Sequence, residues 1–358
     1  MIKQAFSIGF LGLGALSLAA CDVGGGSGSR DSIRAVGSST VYPFAKKVSE
    51  SFARSNPQYK SALIEQTGSG NGIQLFCSGL GADTPDMVNA SRRLKLSEYD
   101  RCVSNGVTDI IELQVGLDGI AFASAKDGIR LNLSPTIVYE ALAARPYGRE
   151  QTSELWSDVD PSLPDDPILV YGPPSTSGTR DALKELVLEV GCDSDPAMQA
   201  LKEEDEDEHQ AICTEVRSDG AYIDQGEQDN LIVQKIEINP RVVGIFGFSY
   251  LDENADKVTG LPMDGVDPTY ANISNFSYPG ARPLYVYVKK AHMRAIPGLD
   301  LFLAEWIKNW TVDGPLAAIG LVASPPAEMA ENERRVTEQI TMTRASLTGE
   351  TVVAENTQ

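Results

Sequence analysis

VYGPPSTSGTRDAL, residues 170–183, changes its periodicity in mid-stretch. The run ILVYG ending at Gly172 is β-like and stops at Pro173-Pro174. Beyond Ser175-Thr176-Ser177-Gly178-Thr179, the apolar residues Leu183, Leu186, Val187 and Val190 recur at helical spacing, and Gly191 closes the pattern. A strand that passes through small hydroxyl residues into a helix leaves unpaired N–H groups at the helix start. It surrounds them with Ser and Thr donors and points the positive end of the helix dipole at the same spot. Such a junction seats an anion, and Arg180, one turn in, adds a full charge. An ordinary N-cap has the same local pattern, so the rest of the chain has to discriminate.

Three earlier junctions repeat the form. Ser32 to Val36 reads as a short strand running into Gly37-Ser38-Ser39-Thr40, and a helix follows with Val41, Phe44, Ala45, Val48 and Phe52 on one face. Pro43 falls in its first turn, where proline is tolerated. Ala62 to Gln66 runs into TGSGNG and then a helical stripe of Ile73, Phe76, Cys77 and Leu80. Met87 to Ala90 leads to Ser91-Arg92-Arg93 and a helix near Ser97 to Ser104. In open α/β sheets ligands sit at the carboxyl ends of strands, and four such ends rich in small donors point to one site. The candidates are Ser38, Ser39, Thr40, Ser69, Gly70, Ser91, Arg92, Ser177, Gly178, Thr179 and Arg180. Many neutral donors plus a guanidinium fork match a tetrahedral oxyanion held dry.

Two long apolar runs, Asp109 to Ala125 and Arg282 to Lys290, bracket an insert of about 160 residues, so the chain is expected to cross to a second lobe and back. The expected bounds are 31–115 with 283–345 for lobe 1 and 116–282 for lobe 2. A two-strand hinge is placed near Val115-Gly116 and Arg282-Pro283, with a cleft between the lobes. Within the insert, a helix is predicted from Ser134-Pro135, a strand at Ile168 to Tyr171, helices around KEEDEDEHQ and Leu231 to Ile238, and a strand at Gly244 to Tyr250. Leu299, Phe302, Leu303, Trp306, Ile307 and Trp310 form an aromatic helical face of the kind that packs into a core, and residues 346–358 read as a polar, frayed tail.

The chain has 358 residues, 42% of them hydrophobic, enough for one or two packed domains. A formal charge of −20 disfavours nucleic acid and anionic membrane surfaces, yet leaves room for a local anion site. Residues 1–20 have the form of a lipoprotein signal: Lys3, an apolar stretch too short and glycine-rich to span a membrane, then Leu18-Ala19-Ala20 before Cys21. Cleavage there would leave Cys21 as the lipidated first residue, tethered through the glycine- and serine-rich segment 21–30. The mature protein is then expected to be exported to the bacterial cell envelope, an oxidising compartment, and held at a membrane surface by lipid. Cys77, Cys102, Cys192 and Cys213 allow three disulfide pairings, of which the local one, Cys77 with Cys102 and Cys192 with Cys213, is simplest. There is no CxxC and only two histidines, so a metal site is not expected, and no cofactor is implied.

An enzymatic reading finds little support. His209 sits in an acidic run that reads as a solvated face, and His292 follows Lys289-Lys290 at a strand end. Neither histidine accompanies a GxSxG elbow, and TGSGNG lacks the lysine of a phosphate-cradling loop.

The ordered set GSSTVYPF at 37–44, TGSGNGI at 67–73, SRRLK at 91–95, STSGTRDA at 175–182, NPRVVGIFGFSY at 239–250 and ARPLYVYVKKAH at 281–292 resembles the phosphate-binding protein of bacterial Pst-type ABC importers. The resemblance covers nearly the whole mature chain. It implies a two-lobed type II periplasmic binding protein, a Venus flytrap that closes on inorganic phosphate and hands it to inner-membrane permease subunits, working as a monomer without catalysis. Carried over by position, Thr40 and the Val41 amide, Ser69, and Ser177, Gly178 and Thr179 hold the anion. Two positions depart from the best-known members. Arg92 stands where they place an Asp that accepts the proton of the bound phosphate, and Pro173 stands where they have an Arg, which shifts the cationic role to Arg180. An Asp acceptor rejects sulfate because an unprotonated oxyanion leaves it unpaired. Without it the preference for phosphate is expected to narrow unless Glu65, Asp181 or Asp224 substitutes. The same architecture would also serve a lipoprotein for another oxyanion such as sulfate, or a phosphate-binding surface or sensor protein uncoupled from transport.

Overall fold

The computed structural model describes residues 30–226 and 229–348; residues 1–20, Cys21, the tether up to residue 29 and the tail from residue 349 lie outside the described residues. Nine strands are described: β1 (Arg34–Gly37), β2 (Leu63–Gln66), β3 (Met87–Ala90), β4 (Ile110–Ala125), β5 (Val170–Gly172), β6 (Tyr222–Asp224), β7 (Val243–Gly247), β8 (Val258–Gly260) and β9 (Ala281–Lys289). Their order is β2-β1-β3-β9-β4-β7-β5-β6, with β8 against β4. β1 is parallel to β2 and β3, and β5 is parallel to β6 and β7. The long strands β4 and β9 run antiparallel from Ile110 opposite Lys289 to Gly119 opposite Ala281, with a register shift between Gln114 and Gly116. Beyond that pairing β4 continues against β7 from Ile120 to Ala123.

This continuity gives two lobes. One core draws on residues between Leu117 and Tyr278, joined by Val322. Two more lie on opposite faces of the β2-β1-β3-β9 layer: Ala35, Met87, Val286 and Val288 pack with Phe52, Phe302 and Trp306, while Val36, Val88, Tyr285 and Tyr287 pack with Phe76 and Cys102. The alternation along each strand is the period of two that a doubly covered sheet requires.

Helices α1 (Tyr42–Ser55), α2 (Ser69–Phe76) and α3 (Leu96–Ser104) follow β1, β2 and β3. Gly37 carries φ +130°, and a Cβ there would lie 2.1 Å from the Asn89 carbonyl oxygen. Only glycine lets β1 turn beside β3 at this point. Cys77–Cys102 and Cys192–Cys213 are bonded, the local pairing, closing sequence separations of 25 and 21 residues. Converting either pair to serine is expected to lower the unfolding free energy by about 3 kcal/mol, read as a lower denaturant midpoint; an unchanged midpoint would show the bridge to be stabilising nothing.

Several expectations require correction. The aromatic stretch at 244–250 is a strand only to Gly247, and Phe248–Glu253 is helical because Phe248 and Leu251, three apart, both face the core. Gly191 does not end the helix it follows. It lies inside the segment Glu189–Cys192, where a Cβ would sit 2.2 Å from the Pro135 carbonyl oxygen, so its glycine permits close helix packing. His209 is fully buried rather than solvated: it shares a helix face with Cys213 and its Nε2 lies 2.7 Å from Asp193 Oδ1. His292 is buried too, with Nδ1 2.6 Å from Asp86 Oδ1 at the start of β3. The tail begins later than expected, since Arg344–Thr348 is helical and Arg344 pairs with Asp100.

Candidate oxyanion cleft

The ends of β1, β2 and β3 present their hydroxyl turns on one side of the cleft, and the end of β5 presents its own from the other. Ser38 caps the first turn, its Oγ accepting from the Val41 amide at 3.3 Å, and so holds the loop that exposes Ser39 and Thr40. Ser69 opens α2, and its Oγ accepts from the Ser91 amide at 3.1 Å and lies 3.1 Å from Ser91 Oγ. Gly70 follows in the same first turn of α2. On the opposite lobe Ser177 caps Gly178–Ala182, its Oγ accepting from the Thr179 amide at 3.2 Å. That helix continues through a π-helical stretch, Leu183–Leu188, into Glu189–Cys192, which gives its N-terminus a long dipole behind it.

The two sets touch. Thr40 Oγ1 donates to the Gly178 carbonyl at 3.4 Å, and Ser39 Oγ hydrogen-bonds the Asp181 carboxylate. A Cβ on Gly178 would lie 2.8 Å from Thr40 Cα, so the lobes meet backbone against backbone. Beside this contact, Thr40, Asp118, Ser177, Gly178 and Thr179 line a cavity of about 220 Å³. A larger cavity of about 430 Å³, between Phe248 and Leu321, has none of the sequence-predicted site residues in its wall.

The cations are distributed differently from the expectation. Arg92 makes a two-pronged ion pair with Glu98 at 2.9 and 2.7 Å on its own lobe. Arg180 is buried but turns behind its helix: Nη1 donates to the Pro173 carbonyl at 3.0 Å and to Asp224 at 3.3 Å, and the guanidinium lies 4.4 Å from the Tyr222 ring centre. The Tyr222 hydroxyl donates to the same Pro173 carbonyl at 2.7 Å. Pro173 therefore supplies the acceptor that Arg180 and Tyr222 share.

The guanidinium that reaches the cleft donors is Arg282, on β9. Its Nη2 donates to Thr40 Oγ1 at 2.9 Å, its Nε to Asp118 at 3.1 Å, and its Nη1 pairs with Glu185. Glu185 also accepts from Ser91 Oγ at 3.4 Å, so one arginine links a hydroxyl of lobe 1, a carboxylate of the crossing strand and a carboxylate of lobe 2. Burial raises the proton affinity of Asp118, against the opposing pull of Arg282. Of the three acceptor candidates named from sequence, Glu65 pairs with Arg34 at 2.8 Å, Asp224 faces Arg180, and Asp181 alone touches a cleft hydroxyl. Sequence reading did not single out Asp118, Glu185 and Arg282, which meet beside Thr40. The available signal was a lone charge inside the apolar run LQVGLDGIAFASA and another opening RPLYVYV, since buried charges persist in such runs only when paired.

Among the described residues, the group best placed for metal ligation is Cys192, His209 and Cys213, whose ligand-type atoms lie within 4.8 Å of one another. Both sulfurs are engaged in the disulfide, so the group offers no thiolate. No helix among the described residues is long and apolar enough to cross a membrane.

Comparison with known proteins gives a consistent set of relatives. A family model described as the PBP superfamily domain matches residues 23–309. Protein SphX of Synechococcus elongatus is 30% identical over 283 residues, covering 75% of this chain and 73% of its own. The phosphate-binding protein PstS of Staphylococcus saprophyticus is 27% identical over 334 residues, with 90% of each chain covered. Among solved structures, a possible phosphate binding protein from Planctomyces limnophilus superposes with a TM-score of 0.69 at 24% identity, covering 87% of this chain and 99% of that one. PstS from Borrelia burgdorferi gives 0.54 at 17% identity, covering 83% and 100%, a likeness of fold.

Proposed function

The chain belongs to the PBP superfamily, and from that premise we propose that it binds inorganic phosphate in the cleft between its lobes and delivers it to an ABC-type importer. Direct contact of Ser39 and Thr40 with Asp181 and Gly178 supports the assignment, because it brings the hydroxyl turns of both lobes together beside a small cavity that Thr40, Ser177 and Thr179 line. The PstS and phosphate-binding relatives supply the ligand class. The donors assigned to the anion are Thr40 and the Val41 amide, Ser69 with Gly70, Ser91, and Ser177, Gly178 and Thr179. Lobe 1 comprises residues 31–115 and 283–345 and lobe 2 residues 116–282, with closure about the crossing of β4 and β9.

Binding energy that exists only when both lobes contact the same anion shifts the open–closed population towards closed, which is the state a permease can distinguish. The work is binding and release, with no bond made or broken in the ligand. The protein acts in the periplasm, with lipid on Cys21 holding it at a membrane surface.

Calorimetry on protein stripped of bound anion tests the assignment. Phosphate is expected to bind tightly and sulfate more weakly, with no turnover of a generic phosphate ester. Sulfate binding equal to or stronger than phosphate binding would overturn the ligand, and ester turnover would overturn the absence of catalysis.

A further inference from the structure

The bridge between Cys192 and Cys213 has an imidazole beside it that a bridge does not need. Cys192 ends the helical segment Glu189–Cys192, and His209 and Cys213 lie one turn apart on the helix Glu206–Thr214. All three residues are fully buried in lobe 2. A ring nitrogen of His209 and the two sulfurs lie within 4.8 Å of one another. Nε2 is held by Asp193, whose Oδ1 accepts from it at 2.7 Å, so the lone pair of the imidazole is on Nδ1. Nδ1 is buried and has no hydrogen-bond partner among the described residues. An unpaired buried acceptor costs free energy, and a purely structural bridge gives no reason to carry that cost. At the other bridge, by contrast, Cys77 Sγ faces the Glu98 carbonyl at 3.6 Å, and no histidine joins those sulfurs in a ligand group among the described residues.

We infer that Cys192, Cys213 and His209 bind Zn²⁺ in the dithiol form of the chain, so that bridge and metal exclude each other. Tetrahedral zinc, with Zn–S bonds of about 2.3 Å and a Zn–N bond of about 2.1 Å, sets such ligand atoms roughly 3.5–3.8 Å apart. The three atoms reach that spacing by small shifts once the sulfurs are no longer bonded to each other. Asp193 stands outside the ligand group and acts as the carboxylate that fixes the ring, itself held by Lys202 at 2.7 Å. A dithiol reductant breaks the S–S bond, delivers two electrons and two protons to Cys192 and Cys213, and leaves as its own disulfide. Zn²⁺ then displaces the two thiol protons to solvent, and a water takes the fourth position. Two thiolates cancel the charge of the ion, so the buried group carries no net charge in either form. The inference is independent of what the cleft binds.

The test uses the full mature chain in phosphate-free buffer, reduced with a phosphine, which becomes its oxide and does not chelate zinc as dithiols do. Zn²⁺ is titrated in competition with a chromophoric chelator, and Co²⁺ in its place reports thiolate ligation by a charge-transfer band. Reduced wild type and reduced Cys77→Ser/Cys102→Ser are each expected to take up one zinc per chain. Cys192→Ser/Cys213→Ser, which keeps the other two cysteines, should take up none. His209→Gln should weaken binding by about 100-fold or more, and Asp193→Asn by about 10- to 100-fold. Thiol counting and thermal unfolding of the oxidised His209→Gln variant show that it folds and closes its bridges, so its loss of zinc cannot be put down to misfolding. Reoxidation of the wild type should expel the metal as the 192–213 bridge returns. Failure of reduced wild type to bind zinc, wild-type affinity in His209→Gln, or full binding in Cys192→Ser/Cys213→Ser would each overturn the inference, and none of them touches the anion assignment.

Discussion

Arg282→Gln is expected to lower phosphate affinity by about 100- to 1000-fold, the scale on which truncating one partner of a buried, hydrogen-bonded charge cluster acts. The change removes the cation from the cleft and leaves Asp118 and Glu185 without the guanidinium that both contact. It also removes the donor that orients Thr40 Oγ1, so the cleft loses a positioned hydroxyl along with a charge. Arg180→Gln is expected to cost less, since its guanidinium braces Pro173, Asp224 and Tyr222 behind the helix and acts on the anion through the helix start. Calorimetry on the two variants side by side is the check. If Arg180→Gln abolishes binding while Arg282→Gln stays within a few-fold of wild type, the cationic role returns to Arg180.

Gly178→Val should block closure while leaving each lobe folded. Even a single added carbon would sit 2.8 Å from Thr40 Cα and 3.3 Å from the Thr40 amide nitrogen, and neither backbone atom can rotate away. The only relief is to separate the lobes, and each variant is graded by how far they must part. Alanine should cost about 1–3 kcal/mol in the closed state, the usual scale of overpacking, which is a roughly 10- to 100-fold loss of affinity. Valine should bring the loss nearer 1000-fold. Small-angle scattering with saturating phosphate should show wild type compacting and Gly178→Val remaining extended, and thermal unfolding of the two without phosphate should coincide. Wild-type affinity in the valine variant would mean that the 40–178 contact is not part of the bound state.

The junction at Gly178 was within reach of the sequence, while its contact with Thr40 and the partners of Arg282 were not, for a physical reason. Ser177-Gly178 lies at a junction whose strand, cap and helix are set by residues within a few positions of it, and local propensity and periodicity are legible there. The same locality explains why β3 and the turn at Ser91 were readable, and why the four hydroxyl-rich strand ends could be grouped. It also explains the error at residues 248–250: an aromatic run is β-like by composition, and only the packed core reveals that Phe248 and Leu251 lie on one helical face.

The sequence by itself determined the α/β alternation, the two long crossing strands, the hydroxyl turns at strand ends and the ligand class that such turns accommodate. Those follow from periodicities of two and 3.6 residues and from the backbone chemistry of helix starts. The tertiary structure alone decided which charges enter the cleft. Arg92 and Arg180 look equivalent to Arg282 in a list of residues, but each guanidinium goes to the acceptor that folding brings nearest. For Arg282 that acceptor set is Thr40, 242 positions away, with Asp118 and Glu185. No local rule reaches across such a separation. A buried charge is placed by the partners that cancel its desolvation, and those partners meet only when the two lobes are assembled.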